Sequence, residues 1–357
     1  MTPPSYDGQL DNGQLDNGQL DNGQLDEGEL DRAYGALLGL AVGDALGMPT
    51  QMLAYDEVAR RFGVLDRFHA GAPDHPIAAG LRAGRVTDDT EQAVILGRLL
   101  VAGRGRLDVA AYVAALQAWE ERMVAAGSGD LLGPSTRRAL RAIAGGVDVA
   151  VAGQWGETNG AAMRIAPVGI AVPAEPLAPL VDQVVEVTRP THGTGLALAG
   201  AGAVAAAVST GVSGHPFEVA LDTAVRAAAD GATRGSYVAG ADVGTRIRWA
   251  VDLVAGLDPR EALTRISSLV GTSLATQESV PAAFAIASLF PTDPWEAARH
   301  AASLGGDADT IAAIAGAIVG ACCGGSAFPE ALAATVEAVN PDLGLAALAA
   351  DLLALRG

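Results

Sequence analysis

The chain of 357 residues is half apolar, only 4% aromatic and carries a net charge of −18. It can therefore bury a large core, built from Ala, Leu, Val and Ile around close backbone approaches. All 23 basic residues are Arg, and so acidic a chain without a basic stripe excludes nucleic acid as a partner. Cys322 and Cys323, the only cysteines, are adjacent, which excludes a disulfide framework and a zinc cage; both are expected as buried thiols on a helix.

Residues 6–30 form five tandem pentads, from Tyr6-Asp7-Gly8-Gln9-Leu10 to Asp26-Glu27-Gly28-Glu29-Leu30. A period of five fits neither helix nor strand, so residues 1–30 are read as a disordered acidic tail. The Asx spacing is not that of an EF-hand loop, and no calcium is assigned to it.

From Asp31 onward apolar residues recur with a helical period, and residues 31–357 are read as one all-α domain. Arg32–Leu46 is the first predicted helix, with Ala36, Gly39 and Gly43 allowing tight packing. A Gly-rich loop from His69 to Arg85 follows. Thr90–Val101, Val109–Ala126 and Ser135–Ala144 come next, the last opened by Pro134. Further helices are predicted over Leu177–Thr188, Thr194–Thr210, Pro216–Asp230, Ala239–Ala255, Pro259–Val270, Val280–Leu289, Pro294–Ser303, Thr310–Cys323, Pro329–Val339 and Leu343–Leu355. Pro or Gly punctuates almost every gap. Val184–Val187 is the one tempting strand. Gly195–Val212 is too weakly apolar for a membrane span, and no charged-then-apolar leader opens the chain. A soluble cytoplasmic protein is the expectation.

Two acidic stretches stand out, Thr87-Asp88-Asp89-Thr90 and Gly305-Gly306-Asp307-Ala308-Asp309-Thr310. Acids in a first helical turn answer the helix dipole, and each stretch by itself reads as an ordinary helix start. Together they offer four carboxylates and two hydroxyls with no Cys or His nearby. That donor set suits Mg²⁺, Mn²⁺ or Ca²⁺ rather than zinc. Asn159-Gly160 forms a turn before a small-residue helix start, where free N–H groups can hold phosphate or sugar oxygens. His192, at another helix start, by itself reads as a structural residue.

The order Gly35-Ala36-Leu37-Leu38-Gly39-Leu40-Ala41-Val42-Gly43-Asp44-Ala45-Leu46-Gly47, Thr-Asp-Asp-Thr, Asn-Gly-Ala-Ala-Met-Arg, Thr-His and Gly-Gly-Asp-Ala-Asp-Thr resembles the ADP-ribosylglycohydrolase family, from Asp31 to about Cys323. The resemblance implies the compact all-α fold of that family, with two Mg²⁺ ions (or Mn²⁺) in a cleft. The metals would hold the terminal ribose of an ADP-ribosyl or small riboside substrate and help a water attack its anomeric carbon. By motif, Thr87, Asp88, Asp89, Asp307, Asp309 and Thr310 would be the metal ligands. Asn159, Gly160 and His192 would fall in the ribose and diphosphate pocket, and the loop His69–Arg85 would form one wall. Of the acids, Asp88, Asp89 and Asp307 are the catalytic candidates, with Asp89 or Asp307 taking the proton.

One position departs from the pattern. Gln51 stands where the family usually has a glutamate, and an amide binds substrate but does no acid–base work. Glu57 replaces that glutamate only if the loop folds back. Gln51 points toward smaller ribosides such as nucleosides as an alternative substrate class. A silent relative that binds ADP-ribose without turnover is the third possibility.

Overall fold

The computed structural model describes residues 26–125, 127 and 131–356. The expected disorder of the first repeats, residues 1–25, lies outside the described residues. The fifth repeat does not belong to a tail, because α1 (Glu27–Gly47) starts inside it. The Asp26 carboxylate accepts from Glu29 N–H at 2.8 Å, the Asp-x-x-Glu spacing of a capping box, and Leu30 packs on the core.

The chain continues through α2 (Tyr55–Arg61), α3 (Asp88–Ala102), α4 (Val109–Ala125), α5 (Pro134–Ala144), α6 (Val149–Ala152), α7 (Gly160–Met163), α8 (Ala166–Ala171) and α9 (Leu177–Thr188). It then forms α10 (Gly195–Val212), α11 (Phe217–Ala232), α12 (Val243–Val254), α13 (Pro259–Arg265), α14 (Thr276–Leu289), α15 (Pro294–Ala302), α16 (Ala308–Cys323), α17 (Glu330–Val339) and α18 (Leu345–Leu353). Among the described residues there are no strands, only isolated bridges, Thr158 with Ala275 and Thr194 with Ser236. The short helices α2, α6 and α8 escape sequence reading because one or two turns show no period, whereas α7 is the helix start expected after Asn159.

A seam of small residues between antiparallel α1 and α16 organises the fold. Gly35, Gly39, Gly43 and Gly47 recur every fourth residue, so they share one face of α1. A Cβ on Gly39 would sit 2.1 Å from the Gly316 carbonyl oxygen, and one on Gly43 2.1 Å from that of Ala312. At the end of the seam a Cβ on Gly47 would sit 2.3 Å from the Asp309 Cα. The backbones thus touch directly, and the seam sets the second acidic stretch against the C-terminal turn of α1.

Other differences from the sequence reading have local causes. Val184–Val187 lies within α9, with Val184, Val185 and Val187 buried and Glu186 exposed, and is not a strand. α14 begins at Thr276 and carries Pro281 inside it; the Gln277 carbonyl that loses its helical N–H partner accepts from Arg246 Nε at 2.8 Å instead. α12 begins only at Val243, where Asp242 caps Thr245 N–H at 2.7 Å. α13 runs on as a single π turn, Ile266–Val270. α10 is, among the described residues, the one helix long and apolar enough to cross a membrane, and every residue of it is buried inside the fold. Cys322 and Cys323, expected to be buried, are half-buried on the last turn of α16, where the helix leaves the seam.

Candidate active site

The first acidic stretch opens α3, but the cap comes from another helix. Asp44, on α1 one turn before Gly47, accepts from Thr87 N–H at 2.9 Å, Thr87 Oγ1 at 2.7 Å, Thr90 N–H at 3.1 Å and Thr90 Oγ1 at 2.5 Å. One fully buried carboxylate thereby satisfies two of the four orphan N–H groups of this helix start and both of its threonine hydroxyls. Burial raises its pKa against the pull of these hydrogen bonds. With the turn so anchored, Asp88 and Asp89 face the pocket.

The second stretch opens α16 and is held by backbone. Gly305 and Gly306 both take left-handed conformations, at φ +67° and +63°, which glycine adopts without the Cβ penalty. Gly306 exchanges hydrogen bonds with the loop after α1: its N–H reaches the Leu53 carbonyl at 2.8 Å, and Met52 N–H reaches its carbonyl at 2.6 Å. Asp307 N–H donates to the Thr272 carbonyl at 2.7 Å. The Asn159 amide donates to Asp307 Oδ2 and, at 2.9 Å, to Ser279 Oγ. Asn159 itself is placed by its N–H on the Leu274 carbonyl at 3.0 Å.

Asp88, Asp89, Asp307, Asp309 and Thr310 line a single cavity of about 120 Å³, together with Gln51, Asn159, Gly160, Thr136 and Thr158. The starts of α3 at Asp88 and of α16 at Ala308, 220 residues apart in sequence, thus meet at one cavity. Burial is the first cause that raises the pKa of each acid. The neighbouring carboxylates add to it, Asp309 most strongly at Asp89 and Asp307 at Asp309. Asp307, pulled back by hydrogen bonds from Asn159 and Thr310, rises only to about 6.

Some expected residues stand elsewhere. Thr87 lines a small adjoining cavity with Arg85 and Glu91, its hydroxyl directed at Asp44. Of the loop His69–Arg85 only Ile77 reaches the pocket; the loop closes on itself, Gly71 N–H to the Leu81 carbonyl at 2.9 Å and the Ile77 and Ala78 N–H groups on His75 Nδ1. Glu57 does not fold back: on α2 it pairs with Arg61 at 2.5 Å, outside the pocket. Gln51 is 5% exposed, and its Nε2 has no protein partner.

His192 is not a pocket-lining residue. It lies fully buried behind the wall, its Nε2 hydrogen-bonded with Thr158 Oγ1 at 3.1 Å. A Cβ on Gly160 would come within 3.0 Å of its ring, so the absent side chain lets the Asn-Gly turn pack flat on the imidazole. Burial and the nearby Arg164 and Arg138 hold its pKa well below the ordinary value, which keeps it neutral. Asp44, Gln92 and Arg164, also behind the wall, have roles that no local pattern reveals.

The donor set fits a divalent cation. Asp89 Oδ1 and Asp309 Oδ1, from opposite helix ends, are buried with no hydrogen-bond partner. Leaving such oxygens unmet is costly, and a cation would satisfy them while cancelling the mutual repulsion of the acids. The carboxylates are not drawn into a closed cage: among the described residues no three acidic, His or Cys side chains are near enough to grip an ion without moving.

The ADP-ribosylglycohydrolase family matches residues 25–357. The chain is 36% identical over 310 residues to the Escherichia coli protein YegU, covering 87% of this chain and 92% of that one. It is also 36% identical over 163 residues to the ADP-ribosyl-[dinitrogen reductase] glycohydrolase of Rhodospirillum rubrum, covering 45% and 51%. A solved structure titled ADP-ribosylglycohydrolase-related protein complex superposes with a TM-score of 0.65 at 28% identity, covering 92% of this chain and 99% of that one. With its fold, its motifs and nearly its whole length accounted for, the chain belongs to the ADP-ribosylglycohydrolase family of glycoside hydrolases.

Proposed function

We propose that this hydrolase releases an ADP-ribosyl group with two divalent cations, Mg²⁺ or Mn²⁺, in the acidic pocket. The observation that carries the metal reading is the pair of buried, unpartnered oxygens, Asp89 Oδ1 and Asp309 Oδ1, on opposite helix ends of one cavity. Asp88 and Asp89 from the start of α3, with Asp307, Asp309 and Thr310 from the start of α16, would hold the ions, while Thr87, turned to Asp44, would brace the α3 end from outside the pocket. When bound, they would supply the charge that orients vicinal sugar hydroxyls and acidifies a water. Asp89 or Asp307 would take the proton of the water that attacks the anomeric carbon. Asn159 keeps Asp307 turned to the pocket. The unpartnered Gln51 amide meets an acceptor atom on the substrate. The leaving group departs as the anomeric carbon gains oxocarbenium character.

The Rhodospirillum relative acts, by its name, on ADP-ribosylated dinitrogen reductase, which supports the substrate class. A second reading, hydrolysis of smaller ribosides, is favoured by one observation: Gln51 rather than Glu57 faces the cavity. Assaying ADP-ribosyl-arginine beside a nucleoside panel, with Mg²⁺ or Mn²⁺ and after chelation, tests both. Turnover of ADP-ribosyl-arginine that chelation abolishes is expected. Turnover confined to nucleosides selects the second reading, and activity indifferent to chelation sinks the metal assignment. ADP-ribose binding without turnover of any riboside would identify a silent relative.

A further inference from the structure

We infer that Arg164 and Gln92 form a buried relay that positions Asp88 for the cation from behind the pocket wall; the inference rests on the metal reading above. Arg164 is 2% exposed and ranks among the largest fully buried side chains. Its hydrogen-bond partners are all neutral: Gln92 Oε1, Thr191 Oγ1 at 2.5 Å, Thr136 Oγ1 at 3.4 Å and His192 Nδ1 at 3.5 Å. A buried guanidinium without an adjoining carboxylate is expensive, so its negative balance has to come from farther off. The pocket acids lie on the far side of Gln92, and Asp88 is the one that Gln92 touches.

The route to Asp88 runs through Gln92, which is fully buried. Arginine has no acceptor, so the amide atom facing it must be the oxygen. That fixes the amide: Nε2 is left to point at Asp88 Oδ2, 3.3 Å away. The orientation of a symmetrical-looking amide is thereby decided by a charge on its far side. One Asp88 oxygen is held, and the direction of the other is set. The fan of donors on Arg164 also ties α3, through Gln92, to Thr136 of α5 and to the turn carrying Thr191 and His192. α3 and α5 line the pocket, and the turn packs behind its Thr158–Gly160 wall. Arg164 and Gln92 are positioning residues, since neither lines the cavity.

Two variants test the relay by calorimetric Mn²⁺ binding and thermal melting of the full chain. Gln92→Met removes both ends of the amide. Gln92→Glu keeps an acceptor for Arg164, now charged, and so protects folding, while still removing the N–H toward Asp88. Both folded variants are expected to bind Mn²⁺ roughly 10–100-fold more weakly, with Gln92→Glu melting at or above the wild-type temperature. Affinity at or above wild type in either folded variant overturns the relay and leaves Gln92 a merely structural residue. Wild-type protein that binds no Mn²⁺ overturns the metal reading instead, and the relay with it.

Discussion

The two acidic helix ends that share the pocket are held in opposite ways. The α3 end is anchored by a side chain, with Asp44 gathering two N–H groups and two hydroxyls. The α16 end is anchored by the absence of side chains: Gly47, Gly305 and Gly306 each let backbone touch backbone. A side-chain anchor fixes direction but tolerates small shifts, because hydrogen bonds stretch. A backbone contact tolerates none. The pocket thus has one adjustable wall and one rigid wall.

If both ends serve one site, Asp88→Asn and Asp307→Asn should fail equally, each losing at least about 100-fold in activity. Neither should lose stability in the metal-free protein, since each removes a buried charge from a repelling group. Kinetics beside thermal melting checks this, and full activity in either variant breaks the shared site. The rigid wall is probed by a matched pair of glycines. Gly306 and Gly63 have nearly the same φ, +63° and +67°, but a Cβ meets the Thr272 oxygen at 2.3 Å in the first and nothing within 4 Å in the second. Gly63→Ala should cost about 1 kcal/mol, the left-handed penalty alone. Gly306→Ala should cost about 3 kcal/mol, through added overpacking. Equal losses by denaturant unfolding would mean that the close approach relaxes freely.

The adjustable wall predicts a cost of similar kind but different origin. Asp44→Ala leaves buried donors unmatched and should cost about 2 kcal/mol. Its distinguishing mark is a metal affinity that falls while the α1–α16 seam stays packed; unchanged Mn²⁺ binding in the folded variant would deny Asp44 its anchoring role. The smallest effect lies at the other end of α16. Burial pushes the Cys322 thiol up to about 12 and that of Cys323 to about 11. A raised thiol pKa keeps the unreactive protonated form, so alkylation at pH 8 should be slow and rise about tenfold per unit up to pH 10. Fast labelling at pH 8 would show that this end of α16 opens.

Much of this was legible in the sequence because it is local. The helical periods of α3, α10 and α16 follow from apolar spacing, and acids just before such runs belong at helix starts whatever they do there. The start of α1 was misread because a five-residue repeat masked the Asp26 capping box. The start of α14 lies four residues before the predicted Val280, and the turn around Pro281 is supported by Arg246, which comes from another helix.

Sequence alone determined the helical class, the two carboxylate pairs and, through Gln51, the question of substrate. Only the tertiary structure decided which residues share the pocket. It put His192 behind the wall, kept Glu57 on α2, and brought in Asp44, Gln92 and Arg164. The physical reason is the seam. Glycines every fourth residue announce close packing but not against what, and only the register of Gly47 on Asp309 joins the two acidic ends.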